Sequence, residues 1–405
     1  VLLKEQHKES LQYYSLGLVI LTLPFPMIFN NIAIFIFVFF SLLRIKKIRL
    51  SKNFTHLIFP AIFILSLISL FYSCDILKGF KQIEKIIAFM VFYLFLPSAT
   101  IDSKRLKTLL FLFANITMIA LFYCLTVALF NIFTTDSFYI YNPETFVNEQ
   151  YLRYHRLASA LDFHAIYFSI FLAFAASIYV YYFNSFTKKL KKIIIFNLIV
   201  LAIGLYLLNS FAVLAAFFVI SISTMFFFNH SISSFKKFLI LVLILSFPTA
   251  IFINKAKAIN TSFLIYNIEE DQHSKKWNSL NIRLAKWECA FEASKDSPVL
   301  GQGVGCVQTK LNEIYREKGF EIGYSKAYST HNQYIHYLVE LGAPGLIIFL
   351  TFVIMSFYQS LRKKDFLLFS IITLLAICSI TENVLTLNKG IIFFTAFYYL
   401  INRRK

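Results

Sequence analysis

Apolar runs near twenty residues long recur along this chain from Leu11 to Ile401, separated by short polar breaks. A helix rises about 1.5 Å per residue, so each run has the length to cross about 30 Å of hydrocarbon. The runs predict spans at 11–29, 31–43, 54–73, 83–99, 107–133, 157–183, 193–208, 211–228, 237–254, 333–358, 366–381 and 390–402. The expected fold is an all-α integral membrane protein of about twelve transmembrane helices, with one large polar loop that contains short amphipathic helices. Three segments follow: helices one to nine in 1–254, the loop in 255–332, and helices ten to twelve in 333–405.

The charges test that reading independently. Lys4 and Lys8, the run RIKKIRLSK from Arg44 to Lys52, Lys104 to Lys107, KKLKK from Lys188 to Lys192, Lys236 with Lys237, Arg362 to Lys364, and Arg403 to Lys405 all fall on one side of such a bundle. About 22 basic residues sort there against about six in the short opposite loops, which makes that side the cytoplasm and puts both termini in it. The loop from Lys255 to Thr330 mixes roughly eleven basic with nine acidic residues, and loops that long cross largely regardless of charge. It is therefore expected on the outer side, solvated and structured. A smaller outer loop, Thr134 to Arg156, carries an Asn-Pro turn signal before a basic and aromatic end.

Composition narrows the classes further. The chain of 405 residues is 58% apolar, with 49 Phe, and only 15% charged, whereas soluble domains carry about 25% charged residues. The net charge of +18 would suit nucleic acid, but its clustering between apolar runs is that of membrane turns, so no nucleic-acid partner is expected. The first run contains Pro24 and Pro26 and lacks a small-residue cleavage site, and it is expected to stay as helix one. Of five cysteines, Cys74, Cys124 and Cys378 lie in or beside spans, which leaves Cys289 and Cys306 of the large loop as the pair to consider for a disulfide. The run Glu269, Glu270, Asp271 with His273 reads as solvent-exposed carboxylates, and no metal site is expected.

Candidate chemistry concentrates in and after the large loop. Arg283 to Asp296 predicts a surface-lying helix with Leu284, Trp287, Ala290 and Phe291 on one face and Lys286, Glu292 and Lys295 away from it. Arg283 stands one turn before Trp287 and has the reach to meet a phosphate at headgroup level; the structural alternative is a snorkelling side chain. Ser297 to Gly305, SPVLGQGVG, suits either backbone amides approaching an anion at Gly303 or simply a tight turn. In YSTHNQYIHY, Ser329 or Thr330 is expected to cap the tenth span, with His331 in its first turn. There the helix dipole keeps an imidazole neutral and able to accept a proton. The alternative is that His331 and His336 are polar residues at a span boundary. His164, Glu340, Glu382 and Asn383 are further polar positions in or near spans.

In order, R-L-A-K-W, D-S-P-V-L-G-Q-G-V-G and T-H-N-Q-Y-I-H-Y-L-V-E-L-G-A-P-G-L, most specific from Asn281 to Leu350, resemble the bacterial O-antigen ligase and polymerase family. The T-E-N run at Thr381 to Asn383 and R-L-A-S-A-L-D-F-H-A-I-Y at Arg156 to Tyr167 are also similar. The resemblance implies a metal-independent, cofactor-free, inverting glycosyltransferase of the bacterial inner membrane with a periplasmic loop. Its implied donor is an undecaprenyl-diphosphate-linked glycan, and its acceptor the lipid A core for a ligase, or another glycan for a polymerase. It also implies that Arg283 binds the donor diphosphate and His331 activates the acceptor hydroxyl. Trp287, Gly303, Asn332 and Tyr334, which neighbour these two in the motifs, are further expected substrate-binding positions. Where the family commonly places an arginine after a serine, this chain has Phe211 after Ser210; Arg153 or Arg156 of the smaller outer loop is the expected replacement. A lipid-linked glycan flippase would instead carry polar or broken helices near the midplane in matched halves.

Overall fold

A computed structural model describes residues 5–48, 50–51, 53–142, 147–226, 268, 277 and 279–403. Helices α1 (Glu5–Thr22) and α2 (Met27–Leu42) form a hairpin that Pro24 and Pro26 separate, so the first predicted run ends earlier than its hydropathy does. α3 (Ile58–Ser69), α4 (Ile76–Phe95) and α5 (Ser103–Thr135) follow. Aspartates fix two of these starts, because Asp75 and Asp102 each accept the N–H of the residue three further on, Lys78 and Arg105.

The smaller outer loop is a two-stranded antiparallel hairpin, β1 (Tyr139–Asn142) and β2 (Val147–Gln150), a departure from the purely helical expectation. The run expected at 157–183 is two helices, α6 (Tyr154–Ser159) and α7 (Ala165–Tyr182), broken where Asp162 adopts φ 53. α8 (Lys188–Leu208) and α9 (Phe211–Phe226) complete the first part, and the span expected at 237–254 lies outside the described residues.

The described part of the large loop contributes α10 (Ser279–Lys295), α11 (Val307–Glu317) and the short α12 (Glu321–Ser325). α13 (Gln333–Arg362), α14 (Phe366–Cys378) and α15 (Asn388–Ile401) end the chain. Among the described residues, α5, α7, α8 and α13 are long and apolar enough to cross a membrane, and α2, α3, α9 and α14 are shorter apolar helices. The chain is a nearly all-α, multi-pass membrane protein. Large side chains such as Phe71, 93% exposed, and Phe133, 81% exposed, form the surface that lipid would cover.

Two cores meet at one end of the bundle. In the bundle, Phe113 of α5 meets Phe397 of α15 edge to face and Phe171 of α7 stacks on Phe393, each with ring centroids 4.7 Å apart. Tight packing rather than water exclusion holds such a core in lipid. The loop has its own core, in which Ala285, Cys289 and Ala290 of α10 and Leu311, Ile314 and Tyr315 of α11 close on Ile335 and Val339 of α13. For a core of this kind in water, burying a Leu or Ile contributes about 1.5–3 kcal/mol. It buries the small-residue face of α10 and takes Lys286 inside with it, contrary to the expected outward lysine, while Phe291 is exposed.

α13 is broken at Gly342, whose φ is 67, with Pro344 just beyond. The break frees carbonyls that the glycine-rich loop then satisfies. Gln302 N–H donates to Val339 O at 2.7 Å and Gly303 N–H to Glu340 O at 3.0 Å, while Ala343 N–H donates to Pro298 O at 2.8 Å. A side chain at Gly342 would press its Cβ to 2.2 Å from Val299 O, so this approach requires glycine. Val304 and Gly305 N–H bond to the hydroxyls of Ser69 and Ser73 at 3.1 and 3.0 Å, which ties the loop to the α3–α4 turn. A disulfide joins Cys306 to Cys74 of that turn, their Cα atoms 5.5 Å apart. Cys289, the partner expected from the loop alone, is a buried free thiol.

Candidate functional site

The side chains with most chemical potential gather where the loop core meets the bundle. Asn332, not Ser329 or Thr330, caps α13: its Oδ1 accepts the N–H groups of Tyr334 and Ile335 at 3.0 and 3.1 Å. His331 therefore lies before the helix rather than in its first turn, and its φ of 45 is a conformation that a non-glycine residue holds only when its neighbours are fixed. Asn383, in the α14–α15 turn, fixes both. Its Oδ1 accepts from Thr330 Oγ1 at 2.9 Å and from Asn332 N–H at 2.8 Å. Gln333 adds a second clamp, donating its N–H to Ser379 O and accepting from Leu385 N–H, each at 2.8 Å.

The neighbour of Asn383 supplies the charge. Glu382 is buried, and one carboxylate oxygen lies 3.1 Å from Nδ1 of His331 while the other lies 4.0 Å from the Arg283 guanidinium. Burial alone would raise the Glu382 carboxyl, but the hydrogen bond and charge of His331, then His164 and Arg283, outweigh it and hold the group below its ordinary value. An ionised carboxylate only accepts, so the imidazole donates from Nδ1, which leaves Nε2 as the ring nitrogen free to act on a second molecule. His331 and Arg283 are each about a quarter exposed, and His331 and Glu382 line a cavity of about 490 Å³ with His164, Tyr167 and Ser329.

Arg283 is carried by α10, one turn before Lys286. Lys286 is 5% exposed and holds its ammonium 4.4 Å over the ring of Tyr328. Burial, and then the charge of Arg283, push that ammonium down to about 8 despite the opposing pull of Glu382.

The remaining expected residues support the site more than they enter it. Trp287 is half-buried against the loop core. Gly303, with φ 85, brings the loop against Ser69 and Ser73, and its amide is spent on Glu340, so it serves the turn rather than an anion. Tyr334 donates its hydroxyl to Ala376 O at 3.0 Å. Arg156 pairs with Glu149 through Nε, and Arg153 lies 5.9 Å over the ring of Tyr206. Phe211 opens α9 and is partly exposed.

The smaller outer loop reaches the site through other residues. Burial, then the charge of Glu382, raises the Tyr154 phenol, with Arg283 opposing. The ring of His155 lies 4.3 Å from that of His164, and burial pushes it down to about 4, so it is uncharged at neutral pH. In the sequence Glu382 and Asn383 stand out only as polar residues at the end of an apolar span and in the T-E-N run, without a role in the site, and Tyr154 and Lys286 do not stand out as site residues. Among the described residues, no group of three or more His, Cys, Asp and Glu is placed to hold a metal ion, and the Glu269 to His273 run lies outside them.

The geometry offers a base with an oriented lone pair, a carboxylate behind it and a cation beside it, at the mouth of a cavity. A family model described as O-antigen ligase matches residues 196–350, a stretch that contains Arg283 and His331 and ends before Glu382. That stretch carries a domain of the O-antigen ligase-like family. No curated protein matches the chain.

Proposed function

We propose that this O-antigen ligase-like chain is an inverting membrane glycosyltransferase that moves a glycan from undecaprenyl diphosphate to a lipid A-core acceptor without a metal. It works at the outer face of the bacterial inner membrane, in a bundle of about twelve spans with both termini cytoplasmic. The family domain supports O-antigen ligase or polymerase-type chemistry in general terms. The observation that carries the specific mechanism is the His331–Glu382 contact of 3.1 Å beside Arg283.

In this mechanism Nε2 of His331 takes the proton of an acceptor hydroxyl as its oxygen attacks the anomeric carbon. The bond from that carbon to the donor phosphate oxygen breaks with its electron pair, and undecaprenyl diphosphate leaves. A single displacement inverts the anomeric centre. Arg283 meets the negative charge that grows on the leaving diphosphate, and Glu382 stabilises the imidazolium formed. The Cys74–Cys306 bridge supports an outward site, because such bonds persist in the periplasm and are rare in cytosol.

The test is transfer of labelled glycan by purified protein supplied with lipid-linked donor and core acceptor. Removing a general base typically lowers a rate by about 10² to 10⁴, so His331→Ala should nearly abolish transfer while still inserting in the membrane. Wild-type turnover in that variant would end the assignment. Deletion of the gene separates ligase from polymerase: bare core with stranded lipid-linked polymer marks the first, core bearing a single repeat the second.

A further inference from the structure

One wall of the cavity is more basic than the mechanism needs. Lys78, Lys81 and Lys85 recur on α4 at helical spacing and line the same cavity as His331 and Glu382, with Gln82 between them. Leu77, Phe80 and Ile87 of the same helix are 76%, 57% and 52% exposed and form its lipid-side face. The lysines are therefore turned to the cavity, the usual location of ionisable groups that mark a substrate path in a membrane protein.

Their placement is electrostatically unfavourable. Lys78 lies in the first turn of α4, where the helix dipole opposes a cation, and the three ammonium groups repel one another along one face. Lys78 has Asp75 at 2.9 Å, but among the described residues neither Lys81 nor Lys85 has a carboxylate partner. The acidic groups of this cavity are engaged elsewhere, Glu382 by His331 and Glu340 by His336 at 3.6 Å. Lys85 continues into a second cavity of about 540 Å³ lined by His155, Asp162 and Lys389, and the two cavities share His164 and Tyr167. From Lys78 to Lys85 the ladder runs about 10 Å along the helix, longer than one diphosphate group. Arg283 meets the opposite oxygen of Glu382 and is not among the residues that line this cavity.

We propose that Lys78, Lys81 and Lys85 form a track for the acidic groups of the acceptor, which is then a phosphate- or carboxylate-bearing glycan rather than a neutral one. The inference rests on the transferase reading above and deepens it, leaving the donor diphosphate to Arg283. The track aligns an acceptor hydroxyl with His331 by holding anionic groups on either side of it.

Binding is measured without turnover, on the whole protein in nanodiscs of zwitterionic lipid. The probes are a phosphorylated core oligosaccharide released from lipopolysaccharide by mild acid, the same oligosaccharide after dephosphorylation, and inorganic diphosphate. Losing two charge-assisted contacts should weaken the phosphorylated probe by about tenfold or more in Lys81→Gln/Lys85→Gln. Lys81→Arg/Lys85→Arg should retain its affinity, which excludes misfolding as the cause. The dephosphorylated probe should bind weakly and ignore both changes. Unchanged affinity in the Gln pair, or equal binding of the two oligosaccharides, would overturn the proposal. Loss of inorganic diphosphate binding instead would return the ladder to the donor and overturn it too. A His331→Ala protein that still transfers would sink the mechanism while leaving this binding result intact.

Discussion

Two buried charge clusters hold this protein together at opposite ends of the sequence, and they are built in opposite ways. Arg44, after α2, has a side chain only 4% exposed, and its guanidinium donates to Glu5 at 3.2 Å, Glu9 at 2.9 Å and Gln12 Oε1 at 2.7 Å. It also reaches Ser98 O at 3.3 Å, so α1, α2 and the α4–α5 turn are knotted on one cation. Around Glu382 the roles invert. A carboxylate is at the centre, and its partners His331 and Arg283 remain partly open to a cavity. A closed cluster spends its hydrogen bonds on structure, whereas an open one keeps a lone pair and a cation for a second molecule.

The largest effect expected from breaking that contrast is the loss of transfer in His331→Ala. Glu382→Gln comes next. The amide keeps the shape but removes the charge that stabilises an imidazolium, a hydrogen bond between charged groups worth about 1.5–3 kcal/mol, or roughly 10- to 100-fold in rate. It should appear in kcat more than in the KM for donor, with the protein still accumulating in the membrane. A Glu382→Gln enzyme with wild-type kcat would reduce Glu382 to packing. Arg44→Met tests the other cluster. It leaves the buried Gln12 amide and two carboxylates without their donor, and because Glu5 and Glu9 are part-exposed the expected loss is about 1–3 kcal/mol of stability. Thermal unfolding in detergent should shift down while turnover per folded molecule stays the same. Lowered turnover with unchanged stability would show that the two ends are coupled.

Helix identity was legible where apolar runs are uninterrupted, as at Ser103–Thr135 and Phe366–Cys378. It failed where one residue redirects the backbone, since hydropathy windows average over Asp162 and over the Gly342 break. The shift of the α13 cap from Thr330 to Asn332 has the same origin, because Thr330 is drawn to Asn383, 53 positions away in sequence. Cys306 chose Cys74 over Cys289 for a comparable reason: the α3–α4 turn docks on the loop, which no spacing within the loop announces. Arg283 and His331 stand out in the sequence because each sits in a motif. Glu382 stands out only as a polar residue at a span end, and the α4 lysines not at all, because their meaning depends on which cavity they face.

A third buried cation sharpens the comparison and carries the smallest effect. Lys286 is as buried as Arg44, yet among the described residues it faces the Tyr328 ring and has no carboxylate in ion-pair contact. Its ammonium is pushed from an ordinary value of 10.5 down to about 8, by burial first and the Arg283 charge second. Below about pH 8 both the folded and the unfolded chain hold this proton, and the folded chain bears the full cost of a desolvated charge. Between about 8 and 10.5 only the unfolded chain still binds it, so stability rises with pH across that window. Lys286→Met should raise the unfolding temperature slightly at pH 7 and remove this lysine's share of the slope between pH 8 and 10. If wild type and variant show parallel profiles there, Lys286 keeps its charge when folded, and the Tyr328 ring with the more distant Glu382 compensates it as fully as the carboxylates compensate Arg44.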